Sequence, residues 1–180
     1  MKKGVNSLKI TVSLAMLAAI SIICGKYLAI PGGEVMRFSL ENMPIILAGV
    51  AFGPIAGAAV GAVADLVGCV MVAYTINPIV TLGATSIGLI SGVLAHVTKK
   101  ANIKPQIATV ITVASAHLVG SVIIKTIGLA AYYTMPFAML MLWRLLNYII
   151  VGTLDALIVH ALLSHKGIKS QLSKMKGDAR

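Results

Sequence analysis

The sequence is poor in charged residues, in aromatic rings and in cysteine. Of its 180 residues, 11% are charged, 5% are aromatic and two are cysteines. No stretch is polar enough to form a soluble domain beside a membrane anchor, since average soluble domains carry about 25% charged residues. Cys24 and Cys69 lie in apolar runs without a histidine at metal-ligand spacing, which indicates small buried hydrophobic residues and no metal site.

Motifs typical of enzymes are also missing. The chain has no GxxxxGKS/T loop, so it cannot hydrolyse ATP by that route, and it has no HExxH pair for a metal. Its four histidines do not cluster, and nothing places a nucleophile beside a base. We therefore expect a chain that is not an enzyme and that holds neither a cofactor nor a metal ion.

Apolar sequence is what the chain has in abundance, with 58% hydrophobic residues and a mean hydropathy of +0.96. A spanning helix needs about 20 apolar residues, so the chain has room for about six of them and short loops. We predict one all-α integral membrane domain over residues 1–180, a compact bundle of six transmembrane helices in the lipid bilayer. The predicted helices cover roughly 8–30, 40–52, 54–72, 79–97, 106–132 and 136–164.

Most basic residues mark one side of the membrane. The net charge is +10, and 11 of the 15 lysines and arginines fall in the N-terminal segment, the 99–105 loop and the C-terminal tail. Six spans place these three regions on the same side. Because basic loops face the cytoplasm, both termini are predicted to be cytoplasmic. The positive charge is thus a topology signal, and we expect no nucleic-acid binding.

Four basic residues fall at the opposite, outer end: Lys26, Arg37, Lys125 and Arg144. A charge at membrane depth costs at least a few kcal/mol, so such residues tend to face a cavity or a partner. Each one alone could instead extend to the outer headgroups. Four cations from four helices at one end favour a shared pocket for an anion, and Arg144 has no carboxylate within one turn of its own helix.

Further polar residues share this outer end. Asn147 and Tyr148 follow Arg144 by three and four residues and lie on one helical face with it. Glu41 lies near the outer loop, and Asp65, within a span, is either a ligand acceptor or an interhelical hydrogen-bond partner. The aromatic residues of this end form either an interfacial belt or a stacking surface for a flat ligand; they include Tyr27, Tyr74 and Trp143.

Small residues at four-residue spacing mark two packing surfaces. Glycine recurs at every fourth position from Gly49 to Gly61, which predicts two closely packed helices. A tight hairpin at Pro54 joins them, because proline suits a helix start. Ala15 and Ala19 form a flat face on the first helix that seats another helix, either within the bundle or from a partner protein.

With these residues the chain resembles the substrate-binding S-components of energy-coupling factor (ECF) vitamin transporters, in particular the folate group. The likeness is carried by GKYLAIP at 25–31, RFSLENMPIILAG at 37–49, AFGPIAGAAVGAVADLVG at 51–68, the Asn77-Pro78 turn and the alanine pair. The family implies a multi-pass subunit of the bacterial plasma membrane that captures a vitamin from outside. It also implies that the alanine pair docks a transmembrane coupling protein with two ATPase subunits, which use the ATP. Transport would proceed by toppling of the S-component, with the first loop as a gate.

Folate is the ligand that the resemblance favours. Its two carboxylates suit the outer cations, its flat pterin suits the aromatic residues, and its amino-pyrimidine edge can donate to Asp65 or Glu41. The predicted ligand-binding residues are Lys26, Tyr27, Arg37, Glu41, Asp65, Tyr74, Asn77, Lys125, Trp143, Arg144, Asn147 and Tyr148.

Three alternatives stand beside this prediction. The ligand could be another anionic vitamin such as pantothenate. An intramembrane enzyme could use Asp65 and Asp155 as a carboxylate pair, although the two residues lie in separate helices at different predicted depths. We expect Asp155, three turns below Arg144 on the same face, to be a structural or partner-facing carboxylate instead. A small pore-forming protein would bind nothing tightly.

Overall fold

Helices make up most of the chain, which a computed structural model describes for residues 2–32, 37–133 and 136–177. The helices are α1 (Lys2–Ile22), α2 (Asn42–Phe52), α3 (Pro54–Met71), α4 (Pro78–Lys100), α5 (Pro105–Ala116), α6 (Lys125–Tyr133), α7 (Phe137–Ser164) and α8 (Lys166–Gly177). Proline occupies the first turn of α3, α4 and α5, where its missing amide hydrogen has no helical partner to lose. Two short strands, β1 (Ile30–Pro31) and β2 (Arg37–Phe38), pair antiparallel.

Two of the long helical stretches widen into π-helical segments. The first stretch continues from α1 into a π-helical turn at Ile23–Tyr27. A longer π-helical segment, His117–Ile124, joins α5 to α6 without a break. Such widened turns are rare and are frequently found at functional sites.

Among the described residues, five helical stretches are long and apolar enough to cross a membrane, and α2 is a shorter apolar helix of 11 residues. The spans are Ser7–Tyr27, Pro54–Met71, Pro78–Lys100, Pro105–Tyr132 and Phe137–Ser164. The predicted all-α membrane fold is thereby confirmed. The count of six crossings and the cytoplasmic position of both termini stay predictions, and the predicted gate falls largely on 33–36, outside the described residues.

The helix ends differ from the predicted bounds at both termini. The first helix already begins at Lys2, and its α-helical part ends at Ile22 because the backbone widens there. The tail forms a further helix, α8, which hydropathy does not detect because it is basic. Its half-buried Leu172 and Met175 give it an apolar side, and the Ser13 hydroxyl of α1 lies 4.0 Å from the sulfur of Met175.

The core lies where α2, α3 and α4 meet. Ile46 and Ile87 are fully buried there, and the backbones approach closely at the small residues. A Cβ atom on Gly57 of α3 would meet the backbone of Gly49 in α2 and of Gly88 in α4. The predicted close packing of α2 and α3 is therefore present, and α4 is part of it. Gly53, with a φ of 104°, makes the turn between α2 and α3, a conformation that side chains other than glycine rarely adopt.

Candidate ligand-binding site

A cavity of about 360 Å³ lies at the end of the bundle that carries the β1–β2 hairpin. Its volume falls within the roughly 300–1,000 Å³ usual for small-molecule sites. The π-helical turn after α1, the hairpin, the α3–α4 connection, α6 and the start of α7 all contribute to its wall. The lining residues are Gly25, Lys26, Arg37, Ser39, Glu41, Asp65, Cys69, Tyr74, Thr75, Asn77, Val80, Lys125, Leu129, Leu140, Arg144, Asn147 and Tyr148.

The structure brings ten of the twelve predicted ligand-binding residues to this cavity and leaves two outside it. Tyr27 and Trp143 do not line it, and they are 59% and 41% exposed on the surface of the bundle. Each is a chain neighbour of a lining cation, Lys26 and Arg144 respectively. One residue along a helix turns the side chain by about 100°, so these two rings face away from the pocket.

Two of the predicted cations meet at one aromatic ring. The ammonium of Lys26 and the guanidinium of Arg37 lie 5.6 and 5.7 Å from the centre of the Tyr74 ring. Arg37 also donates to the carbonyl of Gly25 at 3.1 Å, and Lys26 lies 3.8 Å from the sulfur of Cys69. Within the described ranges, neither cation has a carboxylate at ion-pair distance.

Arg144 is likewise held by neutral groups. Its Nε donates to the carbonyl oxygen of Ser121 at 3.1 Å, and its Nη2 reaches the hydroxyl of Tyr148 at 3.5 Å. Its guanidinium also lies 5.7 Å from the centre of the Tyr148 ring. No carboxylate of the described residues pairs with it, so its charge is not neutralised within that part of the chain.

Lys125 differs from the other three cations because it already has an acidic partner. Its ammonium donates to Glu41 Oε1 at 2.9 Å and to Asn42 Oδ1 at 3.4 Å. The lysine is 4% exposed. From the sequence, all four cations are predicted to bind an anion. In the structure Lys125 is paired with Glu41, and the other three cations have no carboxylate partner among the described residues.

The remaining polar residues have mixed roles. Asp65 accepts a hydrogen bond from the Thr81 hydroxyl at 2.7 Å, which is the interhelical alternative, yet it also lines the cavity. Asn77 caps α4 by accepting from the amide of Ile79 at 3.0 Å. Asn147 donates to the carbonyl of Arg37 at 3.0 Å, but its buried Oδ1 has no partner in the described chain.

One buried pair escaped the sequence analysis. His117 Nε2 lies 2.9 Å from Asp155 Oδ2, and the two side chains are 3% and 0% exposed. The ring of Tyr148 stacks at 4.9 Å on that of His117. Asp155 does not line the cavity, and Asp65 bonds Thr81 of α4, so the structure does not bring these two carboxylates together in the cavity as the enzyme alternative requires.

The alanine pair lies on an open surface. Ala15 and Ala19 are both exposed on α1, and Val12 and Met16 beside them are 51% and 61% exposed. In the described part of the chain no element covers this face. The predicted docking surface is therefore available to another helix.

Comparison with known proteins gives one family and one fold. The sequence model of the family described as "ECF transporter, substrate-specific component" matches residues 9–163. A crystal structure of FolT bound with folic acid is similar, with a TM-score of 0.67 at 21% sequence identity, over 83% of this chain and 89% of that chain. At this identity the likeness establishes the fold. No match was found among curated protein sequences.

Proposed function

Because the chain belongs to the family of substrate-specific components of ECF transporters, we propose that it binds folate in this cavity. The protein captures the vitamin from outside the cell and delivers it across the bacterial plasma membrane. The solved relative of the same fold carries folic acid, which makes folate the first ligand to consider. This chain acts as a binding subunit and not as an enzyme, and it needs no cofactor of its own.

The observation that carries the proposal is the convergence of three cations on one cavity. Lys26, Arg37 and Arg144 line the same 360 Å³ space, and none has a carboxylate partner among the described residues. Charged groups at membrane depth normally pair with one another or with a ligand. Two ligand carboxylates, as in the glutamate part of folate, neutralise two of these three positive charges.

Aromatic and amide groups complete the fit to folate. Tyr74 and Tyr148 line the cavity beside the cations and offer faces against which a flat pterin ring packs. The buried Oδ1 of Asn147 is an acceptor without a partner in the described chain, and an N–H group of the ligand satisfies it. Ligand binding then removes the free-energy cost of a buried acceptor that has no hydrogen bond.

We further propose that transport requires partners at the opposite half of α1. Ala15 and Ala19 present a flat, exposed surface there, and small residues allow a foreign helix to approach closely. A transmembrane coupling protein with two ATPase subunits docks on this surface. Those subunits hydrolyse the ATP, in keeping with the absence of a phosphate-binding loop from this sequence.

Equilibrium binding of a vitamin panel to the purified protein tests the ligand assignment. The panel includes folate, pteroate, which lacks the glutamate, and pantothenate, which carries one carboxylate and no aromatic ring. We expect tightest binding of folate, because only folate offers both carboxylates and the pterin. Tighter binding of pantothenate than of folate would contradict the assignment to folate, and absence of any vitamin binding would contradict the whole proposal.

A further inference from the structure

The buried His117–Asp155 pair is connected to the cavity by hydrogen bonds. Asp155 follows Arg144 by 11 residues on α7, so it lies about 16 Å further along the helix axis than the cavity wall. His117 and Ser121 both lie in the π-helical segment, and the Ser121 hydroxyl is 3.5 Å from His117 Nδ1. The pair therefore continues towards the cavity through Ser121.

From Ser121 the connection reaches two residues of the cavity wall. The amide nitrogen of Asn42 donates to the Ser121 hydroxyl at 3.3 Å. The amide oxygen of Asn42 accepts from the Lys125 ammonium at 3.4 Å, and Lys125 pairs with Glu41 at 2.9 Å. The connection thus ends at a lysine and a glutamate that both line the cavity.

Every link between Lys125 and Asp155 is shielded from solvent. Asn42, Ser121 and Asp155 are 0% exposed, and His117 and Lys125 are 3% and 4% exposed. Where water cannot substitute for a missing partner, a buried polar group depends on the neighbour that the protein supplies. A change in one of these residues therefore alters the hydrogen bond of the next residue in the series.

Every donor in this series of hydrogen bonds has to point towards Asp155. An ionised Asp155 accepts only, so the proton of a neutral His117 belongs on Nε2 and its Nδ1 becomes an acceptor. Ser121 then donates its hydroxyl hydrogen to Nδ1, and its oxygen accepts from Asn42. The amide oxygen of Asn42 in turn faces Lys125. An ionised Asp155 thus favours one His117 tautomer and one direction of the Ser121 hydroxyl, and both match the Asn42 amide orientation that the donor-only Lys125 ammonium requires.

We propose that the buried Asp155–His117 pair positions Lys125 of the cavity wall through this directed chain of hydrogen bonds. Glu41 contacts the ammonium directly, whereas Asp155 acts on it only through the hydrogen-bonded residues between them. Lys125 itself keeps Glu41 in place, so the pair also determines which part of the wall is acidic. The consequence for ligand affinity rests on the proposed function, whereas the positioning of Lys125 does not.

The first test uses nuclear magnetic resonance of the full, ligand-free protein in detergent, with ¹⁵N-labelled histidine and lysine. We expect His117 to carry its proton on Nε2 alone, with its signals assigned by their disappearance in His117→Gln. Ser121→Ala is expected to shift the Lys125 ammonium resonance. The matched control Ser91→Ala removes an equally buried hydroxyl that bonds only the Gly88 carbonyl, and it should leave that resonance in place.

These spectra decide the proposal without any ligand. A proton on His117 Nδ1, or on both ring nitrogens, would reverse or interrupt the series of hydrogen bonds. Either result would overturn the proposal. An unmoved Lys125 resonance in Ser121→Ala would overturn it as well. Both measurements use the native protein or a variant that only loses one oxygen atom, so they remain possible if a substitution at Asp155 prevents folding.

The second test asks whether ligand binding responds to the distant pair. Asp155→Asn has the same shape but no longer enforces the tautomer, and we expect it to weaken folate binding roughly 3- to 30-fold. In the Ser121→Ala background, Asp155→Asn should weaken folate binding no further, because the hydrogen-bond connection to Lys125 is already broken. Equal losses in both backgrounds would assign Asp155 a merely structural role and contradict the proposal. Failure of the native protein to bind any vitamin would instead contradict the proposed function.

Discussion

Replacing Arg144 with alanine removes a cavity-lining guanidinium that has no carboxylate partner in the described part of the chain. The groups that hold it, the Ser121 carbonyl and the Tyr148 hydroxyl, are neutral. Its charge is therefore available to a carboxylate of the ligand. We expect Arg144→Ala to weaken folate binding while the protein still folds and inserts into the membrane.

The expected loss of affinity can be estimated from the ion pair that the substitution removes. Deleting one partner of a desolvated, charge-assisted pair costs about 2–5 kcal/mol, which corresponds to roughly a 30-fold or larger rise in the dissociation constant. The Ser121 carbonyl also loses a donor, and a buried acceptor left without this partner costs about 1–3 kcal/mol of stability. The affinity should therefore fall by more than the stability. Arg144→Lys keeps the charge but not the two-pronged geometry, and its affinity should lie between those of the native protein and Arg144→Ala.

Titration of the purified variants with folate and with 6-hydroxymethylpterin, a pterin without a carboxylate, separates ligand binding from helix packing. 6-Hydroxymethylpterin has no carboxylate, so its complex never includes the ion pair that Arg144→Ala removes, and its affinity should change little. Lys104→Ala removes an exposed cation outside the cavity and should affect neither ligand. Equal losses for folate and 6-hydroxymethylpterin would refute the reasoning, because Arg144 would then hold the bundle together and the anion site would shift to Lys26 and Arg37.

Three further experiments test the docking surface, the helix packing and the topology. Leucine at both Ala15 and Ala19 should abolish cellular uptake with folate affinity nearly unchanged; a parallel loss of affinity would assign the pair to the bundle's own packing. Gly57→Ala places a methyl group against the α4 backbone and should destabilise the protein by about 1–3 kcal/mol in thermal unfolding. In the control variant Gly152→Ala the added methyl carbon lies 3.4 Å from a ring atom of His117, and this change should be tolerated. Similar melting temperatures for the Gly57 and Gly152 variants would contradict the packing argument. A cysteine at Asn102, in the 99–105 loop, should resist a membrane-impermeant reagent applied to intact cells; efficient labelling would invert the assigned topology.

The position of the cavity was predictable because charges are scarce in this chain. Each basic residue outside the terminal and loop clusters marks the same end of the bundle, and helical spacing places Asn147 and Tyr148 beside Arg144. The sequence does not determine which way each side chain faces, since lipid and protein core are both apolar and leave a weak periodic signal. Trp143 was therefore predicted to stack on the ligand, whereas it faces the surface of the bundle.

The pairings inside the bundle required the structure, because they join residues far apart in the chain. Lys125 and Glu41 are 84 positions apart, and His117 and Asp155 are 38 apart. Hydropathy gives the depth of each residue but not the neighbours of its helix.

Depth alone still carried a usable signal for the second pair. His117 lies 12 residues after the start of α5 and Asp155 lies nine residues before the end of α7, at about 18 and 13 Å from the same end of the bundle. A carboxylate inside a span needs a donor at its own depth, because lipid supplies none. His117 is a donor of a neighbouring span that meets this condition. In a chain with so few ionisable groups, matching them by depth predicts buried pairs that hydropathy does not.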